Sequence, residues 1–275
     1  GNYDPKARSQ DMDMDGVDAS VLYPGYGMGL WNVEDSEIRV AAMQAYNDWI
    51  IEEMVTGEPD RLFGLACIPT GDGMETAVSE LERCAKIGHR GGFIDCYPDI
   101  PLHDEYYDPL WAAAQDLGLP LHWHRANGPA RNLPRGYTAL GGRQGEQAAS
   151  VAVRFFSTVT PIIYMLFNGV FQRFPGLKLV TAETDFGWLP FVMQICDDQW
   201  SRYAVWFGSS ADKKPSDYIR EQFYCTFMDD EVGCAMLSYT GADNIMWSSD
   251  YLHGVTTWPR SQEFIEKNLG GRDPE

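Results

Sequence analysis

Short apolar runs rich in β-branched and aromatic residues alternate along this chain with longer stretches in which apolar positions recur every three or four residues. Seven runs predict strands: DASVLYP (18–24), LFGLACIP (62–69), GGFIDCY (91–97), LPLHWH (119–124), LKLVTAE (177–183), FYCTFM (223–228) and NIMWSSD (244–250). Between them, METAVSELERCAKIG (74–88) places Met74, Ala77, Val78, Leu81, Cys84 and Ala85 on one helical stripe, and Gly88 supplies the stop. DPLWAAAQDLG (108–118) repeats the pattern, with Pro109 tolerated in the first turn and Gly118 after the end. Strands joined by helical segments of this length pair in parallel through crossover helices, which is the α/β class.

A closed parallel barrel needs an eighth strand. The sequence opens on a helical pattern, DPKARSQDMDMDG (4–16), that leads directly into the first predicted strand, so strand one is expected upstream of residue 1. No GxGxxG or GxxxxGKS/T turn follows any strand, which removes the main support for a nucleotide-binding open sheet. The expected fold is a (β/α)8 TIM barrel whose first strand is missing from the sequence, with residues 1–275 forming one domain.

Composition narrows the partners. The 275 residues are 44% hydrophobic, enough for a sizeable core, and no run approaches the roughly 18 to 20 uninterrupted apolar residues of a membrane span. Twenty-one Lys plus Arg against 40 Asp plus Glu give a formal charge of -19, a field that repels nucleic acid and anionic membrane surfaces. Cys67, Cys84, Cys96, Cys196, Cys225 and Cys234 fall singly with no CxxC, which reads as reduced core residues of a cytoplasmic protein; GNYDPKARSQ at the start has no secretion-signal pattern.

In such a barrel the chemistry projects from the C-terminal ends of the strands. His122 and His124 share a strand face, Glu183 ends LKLVTAE, and Asp250 ends NIMWSSD with His253 close behind. Imidazole with carboxylate is a ligand set for zinc, iron or manganese, and a catalytic ion takes about three such ligands and one open position. His124 and Asp250 read as metal ligands, and His122 as a further ligand, a ligand's supporting donor or a substrate contact. His89 and His103 read as surface residues. From Arg125 to Gly145 the chain carries Arg125, Arg131, Arg135 and Arg143 and no acid before Glu146, which suits an anionic ligand such as a carboxylic acid or a coenzyme A thioester, or else a solvated loop. Trp123, Trp188, Trp247 and Trp258 lie near the strand ends, either walling a pocket or packing.

YYDPLWAAAQDLGLPLHWH, NGVFQRFPGLKLVTAETDFGWLP and MWSSDYLHG resemble the amidohydrolase superfamily, in the branch that contains aminocarboxymuconate semialdehyde decarboxylase and related decarboxylases and hydrolases. The resemblance covers nearly the whole chain. It implies that His124 and Asp250 bind a divalent ion together with an HxH pair on strand one, and it raises a homodimer as the form of assembly. Where decarboxylases of this branch carry a histidine at the end of strand six, the chain has Glu183, a carboxylate that can move a proton, orient a donor or bind a second ion.

The resulting expectation is a metal-dependent hydrolase acting on a small or medium carboxylated substrate through metal-activated water. His124, Asp250 and Glu183 hold one or two ions; Asp250, Glu183 and His253 are catalytic; Arg125, His122 and Trp123 contact substrate. The alternatives are a nonoxidative decarboxylase, a dinuclear iron oxygenase that shares His122, His124, Glu183 and Asp250 between two irons, and a noncatalytic binding barrel without an ion.

Overall fold

The structure is a computed structural model, and it describes residues 1–134 and 144–271. All seven predicted strands form: β1 (Ser20–Leu22), β2 (Leu62–Cys67), β3 (Gly91–Phe93), β4 (Leu121–His124), β5 (Leu179–Ala182), β6 (Phe223–Phe227) and β7 (Ile245–Trp247). They make one sheet in the order β1-β2-β3-β4-β5-β6-β7, every pair parallel. Each strand is shorter than its apolar run, which extends past the paired residues at one or both ends. The curl is that of a TIM-type barrel left open: β1 and β7 are its two edges, and among the described residues no strand joins them.

The helices follow in chain order: α1 (Pro5–Asp15), α2 (Ser36–Trp49), α3 (Met74–Ile87), α4 (Asp108–Leu117), α5 (Gln144–Arg154), α6 (Val159–Phe167), α7 (Val170–Arg173), α8 (Leu189–Phe207), α9 (Pro215–Gln222), α10 (Glu231–Ala235), α11 (Leu237–Thr240) and α12 (Ser261–Leu269). Gly88 and Gly118 end α3 and α4 in the left-handed conformation, as their sequence positions predict. The stretch 145–167, built from α5 and α6, is long and apolar enough by composition to cross a bilayer, yet Ile162, Met165 and Leu166 of α6 are buried in the protein core.

Helix α1 lies against the far end of the chain. Trp258 Nε1 donates to Asp11 O at 3.0 Å, and Ser261 N donates to the buried Asp15 Oδ1 at 2.8 Å. The segment after β7, which carries Asp250 and His253, is therefore held from both sides.

The main core fills the layer between sheet and helices, from Ala66, Leu81 and Trp111 through Leu121 and Trp123 to Phe171 and Phe186. Strand alternation sends Trp123 into this layer, opposite to its neighbours His122 and His124. Its side chain is fully buried, and Nε1 donates to Thr158 Oγ1 at 3.1 Å. The expectation that Trp123 contacts substrate is corrected accordingly. Trp188 and Trp247 also pack against the same core. His89 is not a surface residue either: it is 2% exposed, with Nδ1 3.2 Å from Gly64 O and Nε2 3.0 Å from Asn47 O. All six cysteines are buried and none forms a disulfide.

Gly91 shapes the barrel interior. A Cβ there would lie 2.8 Å from Leu65 Cδ2, 2.9 Å from Pro120 O and 3.0 Å from His122 Nε2, so the missing side chain is the space the His122 ring occupies. Gly91→Ala is expected to lower stability by about 1–3 kcal/mol through overpacking, whereas Gly71→Ala, with nothing within 4 Å of its Cβ, is expected to change it little. Urea denaturation of the two variants measures the difference.

Candidate active site

Strand β4 ends on His124, and the register sets it beside Ala182 of β5, so Glu183 leaves the sheet on the next residue. Asp250 follows β7 by three residues. Glu183 and Asp250 both adopt left-handed backbone, with φ of 53° and 50°. Non-glycine residues hold this strained conformation only where surrounding structure over-determines it, and such positions cluster at functional sites.

The side chains converge. His124 Nε2 lies 3.0 Å from Glu183 Oε2, Arg125 Nη2 lies 3.0 Å from the same oxygen, and the Glu183 carboxyl is hydrogen-bonded to that of Asp250. His253 Nδ1 sits 3.2 Å from Asp250 Oδ2, without the angular geometry of a hydrogen bond. His124 Nδ1 donates to Arg125 O at 2.9 Å, which fixes the ring and leaves Nε2 to face the carboxylates. A metal-binding imidazole is held in the same way by its other ring nitrogen.

Two carboxylates cannot share a partly buried corner as two bare anions. Burial raises the Asp250 carboxyl, and the neighbouring Glu183 charge raises it further, to about 8. For Glu183 burial also acts upward, but the hydrogen bond and charge of His124 and the charge of Arg125 outweigh it and bring the group down to about 2. At neutral pH the pair thus holds one proton, carried by Asp250.

The donor set suits a divalent cation: one imidazole nitrogen and two carboxylates. Asp250 Oδ2 is buried without a hydrogen-bond partner, and the His124–Glu183 contact is attractive only with a proton or a cation between nitrogen and oxygen. Among the described residues, however, no group of three or more His, Cys, Asp and Glu has the spread of a finished coordination shell.

The profile of the amidohydrolase family matches residues 3–269. The chain belongs to the amidohydrolase family. It is similar to the decarboxylase orsB of Emericella nidulans, 27% identical over 76% of this chain and 64% of that one. It is also similar to 2-amino-3-carboxymuconate-6-semialdehyde decarboxylase of Dictyostelium discoideum, 26% identical over 90% and 67%. The chain thus spans about two thirds of the length of these curated relatives. Among solved structures it shares its fold with a dihydroxybenzoic acid decarboxylase from Polaromonas sp. JS666 with bound manganese and the inhibitor 2-nitroresorcinol: TM-score 0.73, 21% identity, 95% of this chain and 79% of that one.

Within this amidohydrolase-family fold the remaining expected residues divide. His253 and Arg125 join the group at the rim. His122 does not: it lies two residues deeper on β4, 5% exposed, and burial takes its imidazole down to about 3. Nδ1 of the neutral ring is hydrogen-bonded to the Tyr23 hydroxyl at 2.8 Å, and the two rings meet edge to face at 5.5 Å. That arrangement removes His122 from the shared ligand set that a dinuclear site would need. Sequence reasoning missed Tyr23, although its place just after β1 puts it on the inward face. It also missed Phe155, whose ring centroid lies 4.3 Å from the Arg125 guanidinium carbon, and Asp185, a left-handed residue taken up to about 6 by burial and then by Asp230. Of the arginine-rich loop, Arg135 and Arg143 lie outside the described residues, and Arg131 pairs with Asp99 at 2.6 Å.

The carboxyl pair gives a signed pH dependence. Asp250 has its folded pKa raised to about 8, so the folded state binds the extra proton and loses stability as pH rises from the ordinary aspartate value of about 4. Metal-free protein is expected to become less stable between pH 5 and 8 from this group, and Asp250→Asn, which keeps the hydrogen bond without the ionisation, is expected to flatten that slope. Urea denaturation at a series of pH values in the presence of a chelator checks it; equal slopes would remove the shared proton.

Proposed function

We propose that the chain is a metal-dependent nonoxidative decarboxylase of a small, planar carboxylic acid, aromatic or conjugated. The observation that carries this reading is the convergence of His124, Glu183 and Asp250 at the barrel rim, with His253 beside Asp250 on the solvent side. A decarboxylase needs one proton to replace the departing CO2, and a carboxyl at the rim next to a solvent-exposed imidazole is placed to deliver it. Both curated relatives are named as decarboxylases, which supports carbon–carbon cleavage over the hydrolysis that Glu183 first suggested; neither is named for a coenzyme A thioester.

His124, Asp250 and Glu183 are the residues that would hold the ion, with manganese a reasonable choice since the Polaromonas relative has it bound. A bound divalent ion supplies Lewis-acid polarisation of a substrate oxygen. The protein does the rest. Glu183 stays ionised between His124 and Arg125 and keeps the Asp250 carboxyl turned toward the rim. Asp250 delivers its proton to the ring carbon that bears the carboxylate. The carbon–carbon bond then breaks, its electron pair restores the unsaturated system, and CO2 leaves. Asp250 remains as a carboxylate and regains its proton through His253, whose side chain is 63% exposed and reaches solvent.

Manganese-loaded protein is expected to release CO2 from members of a hydroxybenzoate panel. Asp250→Asn should abolish turnover, and His253→Gln should lower kcat by about 10²-fold, a typical loss for a proton-transfer group. Product analysis and CO2 trapping read both effects. Hydrolysis of esters or lactones with no CO2 release from any acid would overturn the assignment.

A further inference from the structure

Arg125 carries more donor capacity than its surroundings use. Its Nη2 lies 3.0 Å from Glu183 Oε2, and its guanidinium carbon sits 4.3 Å from the centroid of the Phe155 ring. The side chain is 11% exposed, and Nη1 is buried with no hydrogen-bond partner among the described residues. A buried donor left without an acceptor costs about 1–3 kcal/mol, more when it is charged, so a group of this kind points to an oxygen that occupies the place in the working molecule. The local charge agrees. Burial and then the positive charge of Arg125 lower the affinity of Arg154 for a proton, so both guanidinium groups add positive potential to this corner of a chain of formal charge -19. An anion on Arg125 lowers that potential.

We infer that Nη1 of Arg125, backed by Phe155, is the anchor of an organic carboxylate subsite that adjoins the His124–Glu183–Asp250 group through Glu183. The inference deepens the decarboxylase reading and rests on it for the identity of the second carboxylate. A guanidinium binds carboxylate in a fork, and such a pair on the departing carboxylate would stabilise the ground state against CO2 loss. The carboxylate on Arg125 is therefore one that the reaction leaves in place, which makes the substrate class a planar acid with two anionic groups. Glu183 connects the two halves of the site, since it touches Arg125 on one side and Asp250 on the other.

The test is calorimetric titration of the full chain with benzoate and with benzamide, its uncharged counterpart, in chelator and again with manganese. Benzoate is expected to bind at least about ten-fold more tightly than benzamide under both conditions, a difference expected of a charge-assisted fork. Arg125→Gln is expected to bring benzoate down to the benzamide level, and Phe155→Leu to weaken it several-fold by loosening the guanidinium. Equal binding of the two probes, an unchanged benzoate affinity in Arg125→Gln, or binding that disappears from the wild type on removal of the metal would each overturn the subsite. If Arg125→Gln fails to fold, the wild-type comparison and Phe155→Leu still decide. None of these readouts uses turnover, so a chain that binds benzoate as expected and releases no CO2 would refute the reaction and leave the subsite standing.

Discussion

Ionised groups packed at a partly buried rim must be neutralised where they stand. His124, Glu183 and Asp250 come from three separate strand ends, and the left-handed backbone at both acids fixes where each carboxyl starts. Neutralisation can come from protons or from a cation. A shared proton accounts for the acid hydrogen-bonded to another acid at the rim.

The rest of the barrel holds that corner in place. Parallel strands buried on both faces bring successive C-terminal ends to one side, and the interior below the rim is filled by rings: Tyr23 meets Phe93 at 5.9 Å, and Trp31 meets Phe93 at 5.7 Å. His122 is part of this floor. Its neutral ring, locked by the Tyr23 hydroxyl, supports the layer that His124 occupies above it. Two histidines on one strand face thus have different work because they sit at different depths.

The sequence made the strands easy to find, since a strand covered on both faces reads as a continuous apolar run, and it marked α3 and α4 by their stripes and terminal glycines. The identity of the rim acids was also legible, because a polar residue closing an apolar run has few structural explanations. Depth was not. A period of two places His122 and His124 on one face but does not say which of them reaches the rim. The same period does place Trp123 on the opposite face, so its assignment to the pocket contradicted information already present. His89 was misread for another reason: its neighbours are polar, and only the tertiary approach of Gly64 and Asn47 encloses it. The Arg125–Phe155 contact joins a strand end to a helix end thirty residues away in sequence, a pairing no local pattern encodes.

The docking of α1 against the segment that ends in α12 has a consequence for assembly. Asp15 and Ser261 are 246 residues apart in the chain, so this seam closes the longest loop in the molecule. Loop closure of that length offers no early return in local contacts, which places the seam among the last parts to consolidate. Asp250 and His253 hang on it. The chain can therefore build most of its sheet before the seam that carries Asp250 and His253 has closed.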